Sequence, residues 1–333
     1  MKIQQVRAFV AGYDEETLRK LISEIYKCIP KKVIEEKQLD LLLENPQQYL
    51  GGKNNPAKKI IMPDIDKVCW EVEEFITNAR AQNYLAPNRV ISKRERPKWR
   101  FLVKRLYKDL LTLSQDPEDL LETGRLLMEL YKVLCEACGV YLFSTEEPFA
   151  SVGVKQRDFY RNVVAVNGKA KQPDEWIKEA ILLIVDQEAD GTTLYSHLMD
   201  ELLELLRTAP LKETGIKRCE TLRRGKPVQP DRRRSSKYEL DRRNNNLTEL
   251  IFRIYFALSE KEAAIADFKR YYVEVNEEVG LYIFMRMLFE YEEKDLWLRE
   301  YEGAILRGVK PRQSLVKDCN WIKETGELPK YLG

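Results

Sequence analysis

The sequence contains a single histidine, His197. This scarcity excludes metal sites built from several histidines and makes any Ser–His or Cys–His mechanism depend on one residue. His197 lies beside leucines that recur at helical spacing, so we expect it on the flank of a helix with a solvent or carboxylate contact. The sequence therefore gives no support for a nucleophilic or multi-histidine metal-dependent active site.

Cysteine is also sparse, and six residues scattered through 333 are typical of free thiols used as small apolar side chains. Cys135 and Cys138 form a Cys-x-x-Cys pair, but a redox or zinc-binding pair needs a stabilised thiolate. This pair ends an amphipathic pattern that Gly139 closes, where the helix dipole raises the pKa of a thiol. We interpret both cysteines as core residues.

Long apolar runs are missing from the sequence. The longest is the six-residue stretch 180–185, far shorter than the roughly 20 residues that a membrane-spanning helix needs. The first 16 residues lack the apolar segment of a signal peptide. We therefore expect a cytoplasmic protein without a membrane partner.

Two short motifs resemble binding loops but lack the residues that would complete them. Residues 186–197 begin like a calcium loop, yet the twelfth position, where a bidentate glutamate is needed, is His197. The Gly-Gly-Lys triplet at 51–53 lacks both the preceding strand and the following Ser/Thr of a phosphate loop. We predict no cofactor, no metal and no catalytic residues.

Helical patterns cover nearly the whole sequence, and strand signals are limited to two stretches, 141–144 and 162–166. About a dozen helices with short connections predict an all-α fold of stacked antiparallel helix pairs. No fixed repeat period is visible. The expected architecture is therefore an irregular superhelix of the HEAT/armadillo kind, with a compact multi-helix bundle as the alternative.

Four places carry helix-start signals, in which a capping side chain or a proline precedes acidic residues. They are Asp14, Asp116 followed by Pro117, Pro173, and Ser259 paired with Glu262. The first of these begins a helix whose apolar residues form one stripe. The stripe consists of Leu18, Leu21, Ile22, Ile25 and Ile29.

We predict three parts along the chain: an N-terminal helical block, a basic linker and an aromatic-rich C-terminal helical block. These are residues 1–222, 223–246 and 247–333. Within the first block, a loop at 49–63 separates a helix pair, 1–48, from the helices over 64–222. The linker is expected to be flexible because it contains two prolines, a glycine and three asparagines.

Basic charge is concentrated in two segments, although the whole chain carries only +2. Residues 89–108 hold nine Lys/Arg and one Glu, and residues 223–246 hold nine Lys/Arg and three Asp/Glu. These 44 residues carry +14, so the other 289 carry −12. The basic segments either pair with acidic helices of the same chain or bind a polyanion.

The segment 89–108 breaks a local rule of helix formation. Pro97 predicts a helix start, where the dipole places positive partial charge, and yet cations crowd this end. Phe101 and several leucines form the apolar side of this helix. Several cations at the positive end of a helix, without any structural gain, indicate that this end has a functional role.

Another side of this helix carries Arg100, Lys104 and Lys108 in one row, with Trp99 nearby for stacking on a base. A phosphate backbone would fit such a row, and the second basic segment could extend it. The predicted polyanion-binding residues are Arg94, Arg96, Lys98, Trp99, Arg100, Lys104, Lys108, Arg232, Arg233 and Arg234.

Two functions remain open at this point. The first is a non-enzymatic helical-repeat scaffold that presents a concave surface to a protein partner. The second is a nucleic-acid-binding protein that uses segments 89–108 and 223–246. One shared positive patch would favour nucleic acid, whereas burial of both segments against acidic helices would favour the scaffold.

Overall fold

The part of the chain that the computed structural model describes is helical in all its regular elements, which confirms the all-α prediction. Neither of the two strand signals corresponds to a strand. Residues 141–144 form bends after a helix end, and residues 162–166 lie inside a helix whose valines are buried against neighbouring helices. The described residues are 3–37, 39–44, 62–225 and 237–332.

The chain divides into two compact units, Met1–Ile61 and Met62–Gly333. In the described residues the first unit contains four helices. They are α1 (Ile3–Val10), α2 (Glu15–Lys27), α3 (Lys31–Lys37) and α4 (Leu39–Glu44). The side chain of Asp14 accepts a hydrogen bond from the N–H of Thr17 at 3.1 Å, so the predicted cap of α2 is confirmed.

Helix α2 has no buried residue. Its apolar stripe remains open to solvent, since Leu21, Ile22 and Ile25 are 37%, 51% and 59% exposed. An amphipathic helix in a protein is ordinarily stabilised by burying its apolar face. The stripe of α2 is therefore free to contact another surface.

The second unit contains thirteen α-helices in its described residues, and a 3-10 turn, Arg96–Lys98, leads into the second of them. The helices are α5 (Ile65–Arg80), α6 (Trp99–Leu113), α7 (Leu120–Gly139), α8 (Pro148–Val152), α9 (Gln156–Ala170), α10 (Pro173–Val185), α11 (Tyr195–Leu205), α12 (Ala209–Arg224), α13 (Lys237–Ala257), α14 (Lys261–Tyr271), α15 (Glu277–Glu290), α16 (Lys294–Leu306) and α17 (Gln313–Thr325).

Helices α5 to α13 pack mainly on their first and second neighbours along the chain. Helix α5 contacts α6 and α7, α7 contacts α9, α9 contacts α11, and α11 contacts α13. Helix α6 also contacts α8, and α10 contacts α12. The packing order follows the chain order, as short connections require.

Of the other predicted helix starts, one is confirmed, because Pro173 occupies the first position of α10. Helix α7 begins three residues after Pro117, since Asp116 instead closes a turn by accepting a hydrogen bond from the N–H of Glu118 at 3.0 Å. Ser259 has a left-handed φ of 63° and caps nothing, so α14 begins two residues later.

Two apolar cores fill the second unit. The larger extends from Val68 to Ile254, and the smaller extends from Phe252 to Ile322. Helix α13 contributes to both, with Ile251 in the larger core and Phe252 in the smaller one. The aromatic-rich C-terminal residues are therefore mainly core residues, as their helical spacing indicates.

Helices extend into both ends of the segment 223–246, which the sequence predicts as a linker. Helix α12 supplies its first two residues, and α13 supplies its last ten. The asparagines that suggest a loop lie within α13, where the side chain of Asn245 makes two hydrogen bonds of 2.8 Å with the backbone of Val273. Residues 226–236 lie outside the described residues.

A stacked aromatic pair fixes the start of α6. The ring centroids of Trp99 and Phe143 are 3.9 Å apart, with 11° between the planes, and both side chains are buried. Phe143 also stacks on Phe75 of α5 at 5.9 Å. The ring of Phe143 therefore joins the first turn of α6 to α5.

We predict that Phe143→Ala lowers the free energy of unfolding by about 3 to 5 kcal/mol, because it leaves a cavity between two aromatic rings. Ile25→Ala, in the exposed stripe of α2, should change it by less than about 0.5 kcal/mol. Urea denaturation followed by circular dichroism measures both. Equal losses in the two variants would contradict the assignment of one site to the core and the other to the surface.

Candidate polyanion-binding surface

The 3-10 turn that contains Pro97 leads into helix α6. The apolar residues of α6 recur at helical spacing. Val103, Leu106 and Leu110 are fully buried at relative positions 0, 3 and 7. Burial of this side fixes the rotation of the helix about its own axis. The opposite side of α6 carries exposed residues.

The predicted row, Arg100, Lys104 and Lys108, lies on this outward side, and all three side chains are exposed. Successive members are four residues apart, which separates them by about 6 Å along the helix axis. Within the described ranges, none of the three takes part in an ion pair. The structure thus places three cations on neighbouring turns without neutralising them.

Arg105, the fourth cation of α6, shows the contrasting structural use. Its guanidinium lies 2.9 Å from the carboxylate of Glu71 on α5 and 3.1 Å from that of Asp109. The hydrogen bond with Glu71 raises the pKa of Arg105. This cation joins α6 to α5, whereas the row on the outward side joins nothing.

The two aromatic residues at the start of α6 lie on the opposite sides from those predicted. Trp99, predicted to stack on a base, is buried against Phe143 and cannot be reached from solvent. Phe101, expected on the apolar side, is 61% exposed. The guanidinium carbon of Arg100 lies 4.9 Å from the centroid of its ring. An exposed ring therefore adjoins the cation row, but it is not the predicted one.

Arg96, another predicted polyanion-binding residue, is occupied by the loop that precedes α6. Its guanidinium donates hydrogen bonds to the carbonyl oxygens of Asn88 and Ile91, the latter at 3.0 Å. These two bonds satisfy backbone acceptors that would otherwise lack a partner. Arg96 is therefore a structural residue that shapes the loop.

The predicted residues Arg94 and Lys98 lie beside this loop, and both are exposed. Lys98 pairs with Glu95 at 2.7 Å, an exposed contact that contributes little to stability. Arg94 makes no ion pair within the described residues. Of the seven candidates in the first basic segment, four are exposed and make no ion pair within the described residues. They are Arg94, Arg100, Lys104 and Lys108.

Three further exposed cations near this surface were not among the predicted residues. They are Arg89, Lys93 and Lys155. Arg89 and Lys93 belong to the loop before α6. They lie inside the basic segment 89–108, so the charge pattern of the sequence already includes them. Lys155 follows Gly153 by two residues, and the Nζ atom of Lys104 lies beside Gly153. That proximity arises from the packing of α6 on α8, which no local pattern reveals.

Three of the four described arginines of the second basic segment, Arg223, Arg242 and Arg243, pair with acidic residues on other parts of the fold. Arg223 makes two hydrogen bonds of 2.8 Å with Asp267, and its guanidinium carbon lies 3.6 Å from the ring centroid of Tyr271. Arg243 is 8% exposed and donates to Asp186 at 2.6 Å. These arginines pair helices α12 and α13 with acidic residues elsewhere in the unit.

Two more arginines of this segment also have acidic partners: Arg242 lies 3.2 Å from Glu188, and Arg224 lies 3.4 Å from Glu220. The predicted residues Arg232, Arg233 and Arg234 lie outside the described residues. Acidic residues of the same chain thus neutralise the described arginines of the second segment, as the opposite charge of the rest of the chain allows.

The Cys-x-x-Cys pair lies in the core, as interpreted from the sequence. Cys135 is fully buried and Cys138 half-buried. Burial raises the pKa of Cys138 to about 12 and holds that of Cys135 well above its ordinary value. The amide of Gln156 lies 3.3 Å from the sulfur of Cys135 and donates to the carbonyl of Glu188 at 3.0 Å. Thiols with such pKa values supply almost no thiolate at neutral pH.

The calcium-like loop 186–197 uses its carboxylates for structure. The side chain of Asp190 accepts hydrogen bonds from the N–H and the hydroxyl of Thr192, both at 2.9 Å. Asp186 and Glu188 form the ion pairs with α13 described above. Among the residues that the structure describes, no cluster of three or more His, Cys, Asp or Glu could hold a metal ion.

His197 lies in the first turn of α11 and is half-buried. Its Nδ1 atom accepts a hydrogen bond from the N–H of Leu194 at 3.3 Å, so the ring caps the helix. The predicted position on the helix flank is confirmed. The imidazole of His197 contacts the backbone because the N–H of Leu194, three residues earlier, has no partner within the helix.

Comparison of the chain with protein-family models, with curated proteins and with solved structures finds no match. Across the described part of the chain, no helix combines the length and the apolar character that crossing a membrane requires.

The two uses of basic residues predict different effects on stability. Arg243→Gln should lower the free energy of unfolding by about 2 kcal/mol, because it breaks a largely buried pair whose acidic partner is partly solvated. Lys108→Gln, in the unpaired row, should change it by less than about 0.5 kcal/mol. Guanidinium denaturation of the two variants measures this difference. A loss of similar size in both would contradict the division into structural and free cations.

Proposed function

We propose that the protein is a non-enzymatic binding protein and that the outward side of α6 binds a nucleic acid. The observation that supports this proposal is the row Arg100, Lys104 and Lys108, which is exposed and unneutralised within the described residues. The same chain neutralises the described arginines of its other basic segment. On α6 the unpaired cations lie on successive turns of one helix side, whereas the described arginines of the other segment each have an acidic partner.

Electrostatic strain in α6 supports a negatively charged ligand. Like charges four residues apart on a helix repel each other by about 0.2 to 0.5 kcal/mol per pair. Arg100 also lies in the first turn, where the helix dipole disfavours a cation by a similar amount. A phosphate backbone would relieve both penalties and release its own counterions. These are modest energies, and they favour binding only because they act together at one face.

The arrangement of helices supports a scaffold for this surface. Contacts between first and second neighbours, such as α5 with α7 and α7 with α9, are typical of stacked helix pairs. We extend the proposal to an irregular superhelix of the HEAT/armadillo kind, in which α6 occupies an outer position. We assign no catalytic role because the sole histidine caps a helix and the Cys-x-x-Cys pair packs in the core.

The charge row makes a quantitative prediction for salt dependence. The triple variant Arg100→Gln, Lys104→Gln, Lys108→Gln should bind a labelled oligonucleotide more weakly than wild type at low salt. Its plot of log affinity against log salt should flatten by about two to three units, since each lost phosphate contact removes about 0.7 to 0.9. Fluorescence anisotropy over a salt series measures the slope.

A matched control removes the same charge elsewhere. Lys178, Lys217 and Lys310 are exposed and lie on α10, on α12 and after α16. Changing these three to Gln should leave the slope at its wild-type value. If wild type does not bind at low salt, or if the control lowers the slope as much as the α6 variant, the proposed function is wrong.

A protein partner is the second candidate function, and the exposed stripe of α2 favours it. None of its apolar residues is buried, although an uncovered apolar stripe on an amphipathic helix commonly marks an interaction site. A hydrophobic groove on a partner would take Leu21, Ile22 and Ile25 as anchors at helical spacing. This interaction would use the first unit and leave the α6 surface free.

The stripe can be tested with two variants of the same charge. Ile25→Asp places a carboxylate in the stripe, whereas Ser23→Asp places one elsewhere on the helix. We expect the first to lose proteins that the wild-type chain retains from a lysate of its source, and the second to keep them, as read by mass spectrometry. Equal retention by both variants would exclude the stripe as the binding site.

A further inference from the structure

Phe101 is the feature of the α6 surface that charge alone does not explain. Its side chain is 61% exposed although it lies in a helix whose other side is fully buried. A single exposed phenylalanine is common on protein surfaces and indicates nothing alone. Here, however, the guanidinium of Arg100 lies 4.9 Å from the ring centroid, and further free cations follow along the same helix.

Helix geometry places the ring beside the row of cations. Each residue advances about 100° around the helix, so Lys108 has nearly the same direction as Phe101, two turns further along. Lys104 lies about 60° to one side, one turn from the ring. The ring and the three cations thus share one outward sector of α6. A flat apolar surface and positive charges are presented together to the same ligand.

We propose that the ligand of this surface is single-stranded nucleic acid, with an unpaired base stacked on Phe101 and the backbone phosphates on Arg100, Lys104 and Lys108. This inference depends on the proposed function, because it names the class of nucleic acid bound at the same face. Aromatic rings beside cationic grooves are the combination by which proteins bind single strands without sequence preference.

The accessibility of bases separates a single strand from a duplex. In a duplex the bases are stacked on each other, and only their edges and the phosphates can be reached from the grooves. An exposed ring on a helix surface can then make only van der Waals contacts with a duplex, because no base face is free to stack on it. In a single strand each base has a free face, which can stack on the ring while the phosphates meet the cations. The cations of the surface can therefore bind either form, whereas Phe101 strengthens binding of the single strand alone.

The other basic residues nearby are consistent with a strand that runs along α6. Arg89, Lys93 and Arg94 lie in the loop that leads into the helix, and all three are exposed. The hydrogen bonds of Arg96 to two carbonyls hold this loop in place. A strand that passes Phe101 would meet these loop cations at one end and Lys108 at the other.

The test compares three probes of known chemistry on the full chain. They are a labelled single-stranded oligonucleotide of about 20 nucleotides, the same sequence as a blunt duplex, and heparin as a polyanion without bases. We expect Phe101→Ala to weaken binding of the single strand about tenfold or more and to leave heparin and duplex binding unchanged. Phe101→Trp should restore binding of the single strand.

The matched control is Trp70→Ala, which removes an equally exposed aromatic side chain from α5. It should leave all three affinities unchanged. Thermal unfolding of each variant confirms that the fold is retained. Phe101 contributes to a surface and not to the core, so its replacement should not move the midpoint.

The outcomes separate this inference from the proposed function. If the triple cation variant loses binding while Phe101→Ala binds all probes like wild type, the proposed function stands and the single-strand inference is wrong. If Phe101→Ala weakens heparin as much as the single strand, the ring has a structural role and the inference is wrong. If wild type binds none of the probes at low salt, both are wrong.

Discussion

The rotation of α6 about its own axis is the constraint on which the candidate site depends. Val103, Leu106 and Leu110 are fully buried, and Trp99 is held by its stack on Phe143. With that side buried, Arg100, Lys104 and Lys108 lie on the exposed side of the helix. The cation row and the exposed ring of Phe101 are therefore consequences of how the core is packed. A core that held α6 in another rotation would bury these charges or spread them over two faces.

Some basic residues of the chain form ion pairs or hydrogen bonds within the fold, whereas those of the α6 row are exposed and unpaired within the described residues. Arginine suits structural ion pairs because its planar guanidinium can make several directed hydrogen bonds at once. Arg223 uses this property with Asp267, and Arg96 uses it with two loop carbonyls. Two of the three cations in the α6 row are lysines, which can contact phosphate as point charges without the directed hydrogen bonds of a guanidinium. The acidic excess outside the basic segments supplies the partners that the structural arginines need.

The all-α class could be predicted from the sequence because helical periodicity is a local signal, and the Asp14 cap could be predicted for the same reason. The row on α6 was also predictable, since residues four apart lie on one side of a helix. The burial of Trp99 and the exposure of Phe101 follow from the same periodicity, because Trp99 lies four residues before the buried Val103 and Phe101 lies nearly opposite. The stack of Trp99 on Phe143, which lies 44 residues later in the chain, could not be predicted from local sequence.

Distance along the chain also explains the second basic segment. The partner of Arg243 is Asp186, 57 residues away, and only the fold brings the two together. From composition, Arg243 and Lys104 are equivalent cations in equally basic stretches. Strand propensity failed at residues 162–166 because tertiary burial of the valines in α9 overrides a weak local preference. Function is harder to predict than fold here, since free and paired cations differ only in their neighbours.

The most direct test of the account is the reactivity of individual lysines. Acetylation with N-hydroxysuccinimidyl acetate, with and without a single-stranded oligonucleotide, can be followed for each residue by mass spectrometry of peptides. We expect the oligonucleotide to slow modification of Lys104 and Lys108 severalfold and to leave the modification rates of the exposed Lys178 and Lys217 unchanged. Equal rates at Lys104 and Lys108 under conditions of saturated binding would show that the nucleic acid lies elsewhere, and would contradict the assignment of the α6 surface.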